Sequence, residues 1–165
     1  MMRSRAAVLA VCLACVLPAA GCYQGFEGTV NTQGATGNGT DFEVGDLKVL
    51  DATLVADEGD TGVASLSVTI ANSGEVDETL ESVTAQLGGA GVVSGTLDIP
   101  AGQSLRIGAP GDPTVVFTGM QARAGQWETL TFAFSTSGSA SKSVKVVSPV
   151  GFYADFAPVA AQETQ

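Results

Sequence analysis

Ala64-Ser65-Leu66-Ser67-Val68-Thr69-Ile70 alternates without a break between apolar side chains and hydroxyls. A period of two belongs to a strand with one face on a core and the other in water, so Ala64, Leu66, Val68 and Ile70 are expected inward. The pattern returns in Thr129-Leu130-Thr131-Phe132-Ala133-Phe134-Ser135, with Leu130, Phe132 and Phe134 inward, and in Ser143 to Val147, with Val144 and Val146 inward. In Leu47 to Val55 the phase slips: Leu47 and Val49 are odd-numbered, whereas Leu50, Ala52 and Leu54 are even. One extra residue exchanges the two faces of a strand, so a bulge near Val49 and Leu50 is expected.

Further strands are expected over Thr79 to Leu87, Val92 to Ile99, Ser104 to Ile107 and Val115 to Met120. Between them stand Asp57-Glu58-Gly59-Asp60, Asn72-Ser73-Gly74, Gly88-Gly89, Pro100-Ala101-Gly102, Ala109-Pro110-Gly111-Asp112-Pro113 and Ser137-Gly138-Ser139, all turn or loop chemistry. No stretch keeps an apolar face at helical spacing for long without a Gly or Pro interrupting it. Seven to eight strands at roughly 8–12-residue spacing indicate an all-β domain, an antiparallel Greek-key β-sandwich, over residues 42–156.

Upstream of the strands, Arg3 and Arg5 precede the apolar run Ala6 to Leu17, followed by small residues and Cys22. The run is too short for a membrane span and reads as a signal peptide over residues 1–21. Ala19-Ala20-Gly21-Cys22 resembles the lipobox of bacterial lipoproteins, which implies lipidation of Cys22 and a mature chain beginning there. Residues 22–41 are rich in Gly, Thr, Asn and Gln and are expected to be a flexible tether, with a root-mean-square span on the order of 25 Å. Residues 157–165 are expected to be a disordered tail. These readings put the protein on the extracytoplasmic face of the cell membrane, held by acyl chains.

Without Arg3 and Arg5 the chain has 5 Lys+Arg against 17 Asp+Glu, a net charge of −12. Such a charge repels nucleic acid and anionic lipid alike, so the membrane partner must be met through the acyl chains and no nucleic acid is expected. Cys12 and Cys15 leave with the signal, and Cys22 alone cannot form an intrachain disulfide.

The 165 residues contain no His, which removes the commonest general base and the usual zinc and copper ligand. Asp60-Thr61-Gly62 copies the triplet of aspartic proteases, but as one copy in an acidic loop it reads as a turn. Ser139-Ala140-Ser141-Lys142 has the Ser-x-x-Lys spacing of acyl-enzymes without the helix start that makes it work. Gly89 to Gly95 falls one residue off a dinucleotide loop and precedes no helix. Asp57, Glu58 and Asp60 lack the spaced ligands of a calcium loop, and the pairs Asp57 with Asp60 and Asp77 with Glu78 offer no more than loop position. No enzyme activity, cofactor or metal is expected from these residues.

Ala71-Asn72-Ser73-Gly74, Asp77, Leu80, Val83, Ile99-Pro100-Ala101-Gly102-Gln103-Ser104-Leu105, Val115-Val116-Phe117-Thr118-Gly119-Met120, Gly125 and Thr129-Leu130-Thr131-Phe132 follow in an order that resembles the PCu(A)C-type copper-chaperone family. Within it, the chain looks most like the actinobacterial branch of LpqE-like lipoproteins. The resemblance runs from about Phe42 to Val147 and implies a cupredoxin-like Greek-key sandwich. It also implies a His-x-Met copper pair just before the Gly matched by Gly119, at Thr114 and Val116, with further His and Met ligands between Val83 and Ile99. None of these ligands is present. The expected function is therefore a non-catalytic binding or accessory module of the cell envelope, with an unknown envelope protein or ligand as partner. The alternative is a copper chaperone or metal-handling protein with a non-standard site.

Overall fold

In the computed structural model the alternating stretches are strands. The structure describes residues 39–57, 59 and 61–158. Of the two units into which the chain divides, Met1–Gly34 and Ala35–Gln165, the second contains all of these. The signal, Cys22, Glu58, Asp60, the tail beyond residue 158 and the tether up to residue 38 lie outside the described residues.

The strands are β1 (Thr40–Val44), β2 (Leu47–Ala56), β3 (Ala64–Asn72), β4 (Glu78–Ala85), β5 (Gly89–Ala90), β6 (Val92–Ser94), β7 (Asp98–Ile99), β8 (Ser104–Ile107), β9 (Thr114–Phe117), β10 (Trp127–Phe134) and β11 (Gly138–Val147). A 3-10 helix follows at Gly151–Phe156. The domain is the expected all-β Greek-key sandwich, its sheet nearly closing into a barrel.

Two details correct the sequence reading. Among the described residues eleven strands form instead of seven to eight, because Val92 to Ile99 breaks into β6 and β7, β5 has only two residues, and β1 begins at Thr40, inside the stretch expected to be tether. The sheet is mixed, since β11 runs parallel to β2 over Lys145–Val147 and Thr53–Val55.

The main path of paired strands is β5-β4-β10-β11-β2-β3-β9-β6. Its two ends are consecutive in sequence: Gly89–Ala90 pairs with β4, and Val92–Ser94 pairs with β9. Gly91 stands between them, its N–H donating to the Val83 carbonyl at 2.8 Å.

The phase slip in β2 is a bulge. Leu50 faces Thr69 and Thr53 faces Ser67, so three steps on β2 answer two on β3. Asp51 takes the left-handed φ of 53° that the extra residue needs. Its N–H donates to Asp41 Oδ1 at 2.7 Å. Burial raises the Asp51 carboxyl above the ordinary range, opposed by a bond from the Gly39 amide and reinforced by the charge of Asp41. The result is that Leu47 and Val49 on one side of the bulge, and Ala52 and Leu54 on the other, all reach the core.

Leu66, Ile70, Leu130 and Phe132 are fully buried, and Val68 and Phe134 nearly so, as the alternation requires. Phe132 meets Phe42 of β1 at a ring separation of 5.3 Å. Glu78 is also buried and takes bonds from Ser135 Oγ, the Thr136 amide and Ser137 Oγ, stitching β4 to the β10–β11 turn.

Candidate functional site

β9 fixes where the expected copper positions lie. Val115 and Phe117 are fully buried, so Thr114 and Val116, two residues apart in the opposite phase, share the outer face and are half-buried. Cross-strand partners also share a face, which places Val116 in one row with Ser65 of β3 and Val92 of β6. Val55 of β2 extends the row beyond Ser65.

An outward serine between valines is expected in water, yet Ser65 is 5% exposed. The chain's own C-terminal segment lies over it. Ser65 Oγ donates to the carbonyl of Phe156, and Phe156, Ala157 and Pro158 form one wall of a groove of about 240 Å³ whose other side includes Gly108–Asp112, with Thr114 and Val116. Gly108 is at φ 97°, and a Cβ there would come 2.3 Å from the Leu66 carbonyl oxygen and 3.4 Å from the Phe156 ring. Glycine is required at that position both by backbone conformation and by space.

The groove carries two carboxylates, Asp112 and Asp155. Asp112 is engaged by Arg106, with Nε to Oδ2 at 2.5 Å, and that bond holds the Arg106 proton more firmly than usual. What remains around Thr114 and Val116 is the Asp155 carboxylate, a hydroxyl, methyl groups and the Phe156 ring. Soft copper is held by thioether, thiolate or imidazole, so these residues do not fit the ion.

Elsewhere the described candidate residues make structural contacts. The Asp57 carboxylate accepts from the Thr61 N–H at 3.1 Å and the Thr61 hydroxyl at 2.7 Å, closing the loop on itself. Ser139 and Lys142 are three residues apart within β11, hence on opposite faces. Lys142 instead lies over the Phe42 ring at 5.8 Å. Asp77 accepts from the Ala101 N–H at 2.9 Å, while Glu78 points into its own cluster of donors. Gly89 to Gly95 forms the β5–β6 seam. Among the described residues no group of three or more His, Cys, Asp or Glu is placed to hold a metal ion.

Sequence reasoning missed two buried acids, Glu78 and Glu128. Glu128, next to the exposed Trp127, is 1% exposed. Its Oε1 accepts from the Leu87 N–H at 2.9 Å, and Oε2 meets no donor among the described residues. Hydropathy inverts at this pair, the tryptophan out and the carboxylate in. The strand phase alone, with Leu130 and Phe132 inward, points to position 128. The thioether of Met120, also buried, is packed against Gly88, where a Cβ would lie 2.0 Å from its sulfur.

No family model matches the chain, and no curated protein matches it. Solved structures do. The apo PCuAC domain from PmoF1 superposes with a TM-score of 0.61 at 22% identity, over 67% of this chain and 100% of that one. The chain has the PCuAC fold. The copper-bound PCuAC domain from PmoF2 agrees, with a TM-score of 0.60 at 19% identity over 67% of this chain and 99% of that one. Its apo form gives 0.57 at 19% identity over 68% and 98%. The neighbours are PCuAC domains matched over almost their whole length, so the extra third of this chain lies outside the shared PCuAC fold.

Proposed function

We propose that the chain is a copper chaperone-like module of the cell envelope, a PCuAC-type domain that works without catalysis and is anchored at the extracytoplasmic face through acyl chains on Cys22. The observation that carries the copper part is the fold likeness, which takes in nearly the whole of each neighbouring domain, one of them copper-bound. The anchoring part rests on Arg3, Arg5, the apolar run and Ala19-Ala20-Gly21 before Cys22.

The chemistry at 114 and 116 shapes the proposal. With Thr and Val in place of soft donors, any copper met by this domain is held by other groups or by a partner on which the domain docks. Titration of the full mature chain with Cu(I) and Cu(II), under competition from a chromophoric chelator, tests this. A one-to-one complex of submicromolar affinity assigns metal handling to a non-standard site. A flat titration, together with no change in copper transfer between envelope donor and acceptor proteins when the chain is added, removes copper from the function. It would leave a binding or accessory module that uses the PCuAC fold as a scaffold.

A further inference from the structure

The C-terminal segment lies over Ser65 on the outer row of the sheet and is held there without strand pairing. Residues 148–158 belong to no strand ladder. Their backbone bonds include Val150 N–H to Ser148 O at 2.8 Å, Tyr153 N–H to Val150 O at 3.2 Å and Ala157 N–H to Ala154 O at 3.4 Å, all within the segment. One hydrogen bond, Ser65 Oγ to the Phe156 carbonyl, ties it to β3.

Its aromatic rings pack against one another. Phe152 lies 5.2 Å from Tyr153 and 5.7 Å from Phe156, and Tyr153 lies 6.2 Å from Phe156. Tyr153 is buried while Phe152 remains 72% exposed. These ring-to-ring contacts travel with the segment, and Pro149 and Tyr153 are its two buried residues, while most of the others are exposed. The groove of about 240 Å³ beside Phe156 shows that the fit against Gly108–Asp112 is incomplete. Elements with few ladder bonds and little buried contact open at a lower free energy than the core around them.

We infer that residues 148–158 form a displaceable strap, a built-in occupant of the Ser65–Val116 surface, which swings away to present that row, continuous with the exposed Val92, to an apolar or aromatic segment of a partner. The segment in place already shows what the surface accepts: a phenylalanine ring, a proline and a backbone carbonyl for the Ser65 hydroxyl to meet. The inference does not depend on copper and stands or falls separately from the proposed function.

Hydrogen exchange by mass spectrometry on the full mature chain tests it. Amides of residues 150–158 are expected to exchange at least about 100-fold faster than those of β10, with β10 still fully protected. Phe156→Ser is expected to accelerate strap exchange further and raise the fluorescence of a hydrophobic dye while β10 protection persists. If strap and β10 amides of the wild-type chain exchange together, the segment is an integral part of the fold and the inference is wrong. It is equally wrong if Phe156→Ser folds and takes up no dye. Should that variant fail to fold, the wild-type exchange pattern decides alone.

Discussion

Ser137 Oγ lies 2.5 Å from Glu78 Oε1, joining the turn after β10 to the first residue of β4. The same carboxylate takes the Ser135 hydroxyl and the Thr136 N–H at 3.0 Å each on its other oxygen. Burial pushes the Glu78 pKa up, and the bonds from Ser137, Thr136 and Ser135 outweigh it, so the carboxyl sits below its ordinary range.

A depressed folded-state pKa means that the ionised form is favoured by folding. The stability this contributes is present above the unfolded pKa of glutamate and is lost as pH falls through the lower folded value. Urea midpoints measured from pH 7 down to pH 3 should therefore fall more steeply for the wild type than for Glu78→Gln. At pH 7 that variant should be about 1–3 kcal/mol less stable, because an amide nitrogen replaces one acceptor. Parallel acid limbs for the two proteins would show that the cluster does not couple to folding.

Phe132→Ala should cost about 3–5 kcal/mol, enough to unfold a marginal domain, since the ring is fully buried against Phe42. Thr131, one residue away, faces out and shares a hydrogen bond with Ser141 Oγ at 2.8 Å. Thr131→Ala should stay within about 1 kcal/mol. Thermal melts of the two variants test the strand register along with the burial, because a slip of one residue would exchange the outcomes.

Gly108→Ala should be destabilising by about 1–3 kcal/mol from backbone strain at its positive φ alone. The added Cβ would also press on the Leu66 carbonyl, which is backbone and has little room to yield. Gly111, also at positive φ but with nothing within 4 Å of where a Cβ would stand, is the comparison: Gly111→Ala should cost less. Equal losses in urea melts would show that conformation, not space, sets the penalty at 108.

If acyl chains on Cys22 are the anchor proposed above, Cys22→Ala should release the protein from membranes or leave the signal uncleaved. Intact-mass measurement of the wild-type protein should show a diacylated or triacylated N-terminus at Cys22. A free thiol there would refute the anchoring.

The parts of this fold legible in the sequence are those where a single strand carries its own period. Leu66 to Ile70 and Leu130 to Phe134 announce their inner faces, and the exchange between Val49 and Ala52 announces a bulge. Pairing partners are a different matter. Nothing local tells β11 to run parallel to β2, and the two residues of β5 and the two of β7 are too few for a pattern. Thr114 and Val116 are reached only by likeness to a family. That the C-terminal segment lands beside them is invisible in the sequence, because Phe152, Tyr153 and Phe156, three and four residues apart, fill a six-residue helical stretch too short to read as an amphipathic element. Glu128 stays hidden because its polarity argues against the side its strand phase assigns.

The seam made by Gly89–Ser94 decides how this protein would fail. One short stretch closes both ends of the strand path, so the outer edges of β4 and β9 are covered and cannot recruit a neighbouring molecule. At Gly91 a side chain would come 2.5 Å from Val115 and 3.0 Å from the Phe117 ring. A bulky residue there would part the seam before it melted the core. A parted seam would leave the edges of β4 and β9 open, and an open strand edge is a template for pairing with another chain.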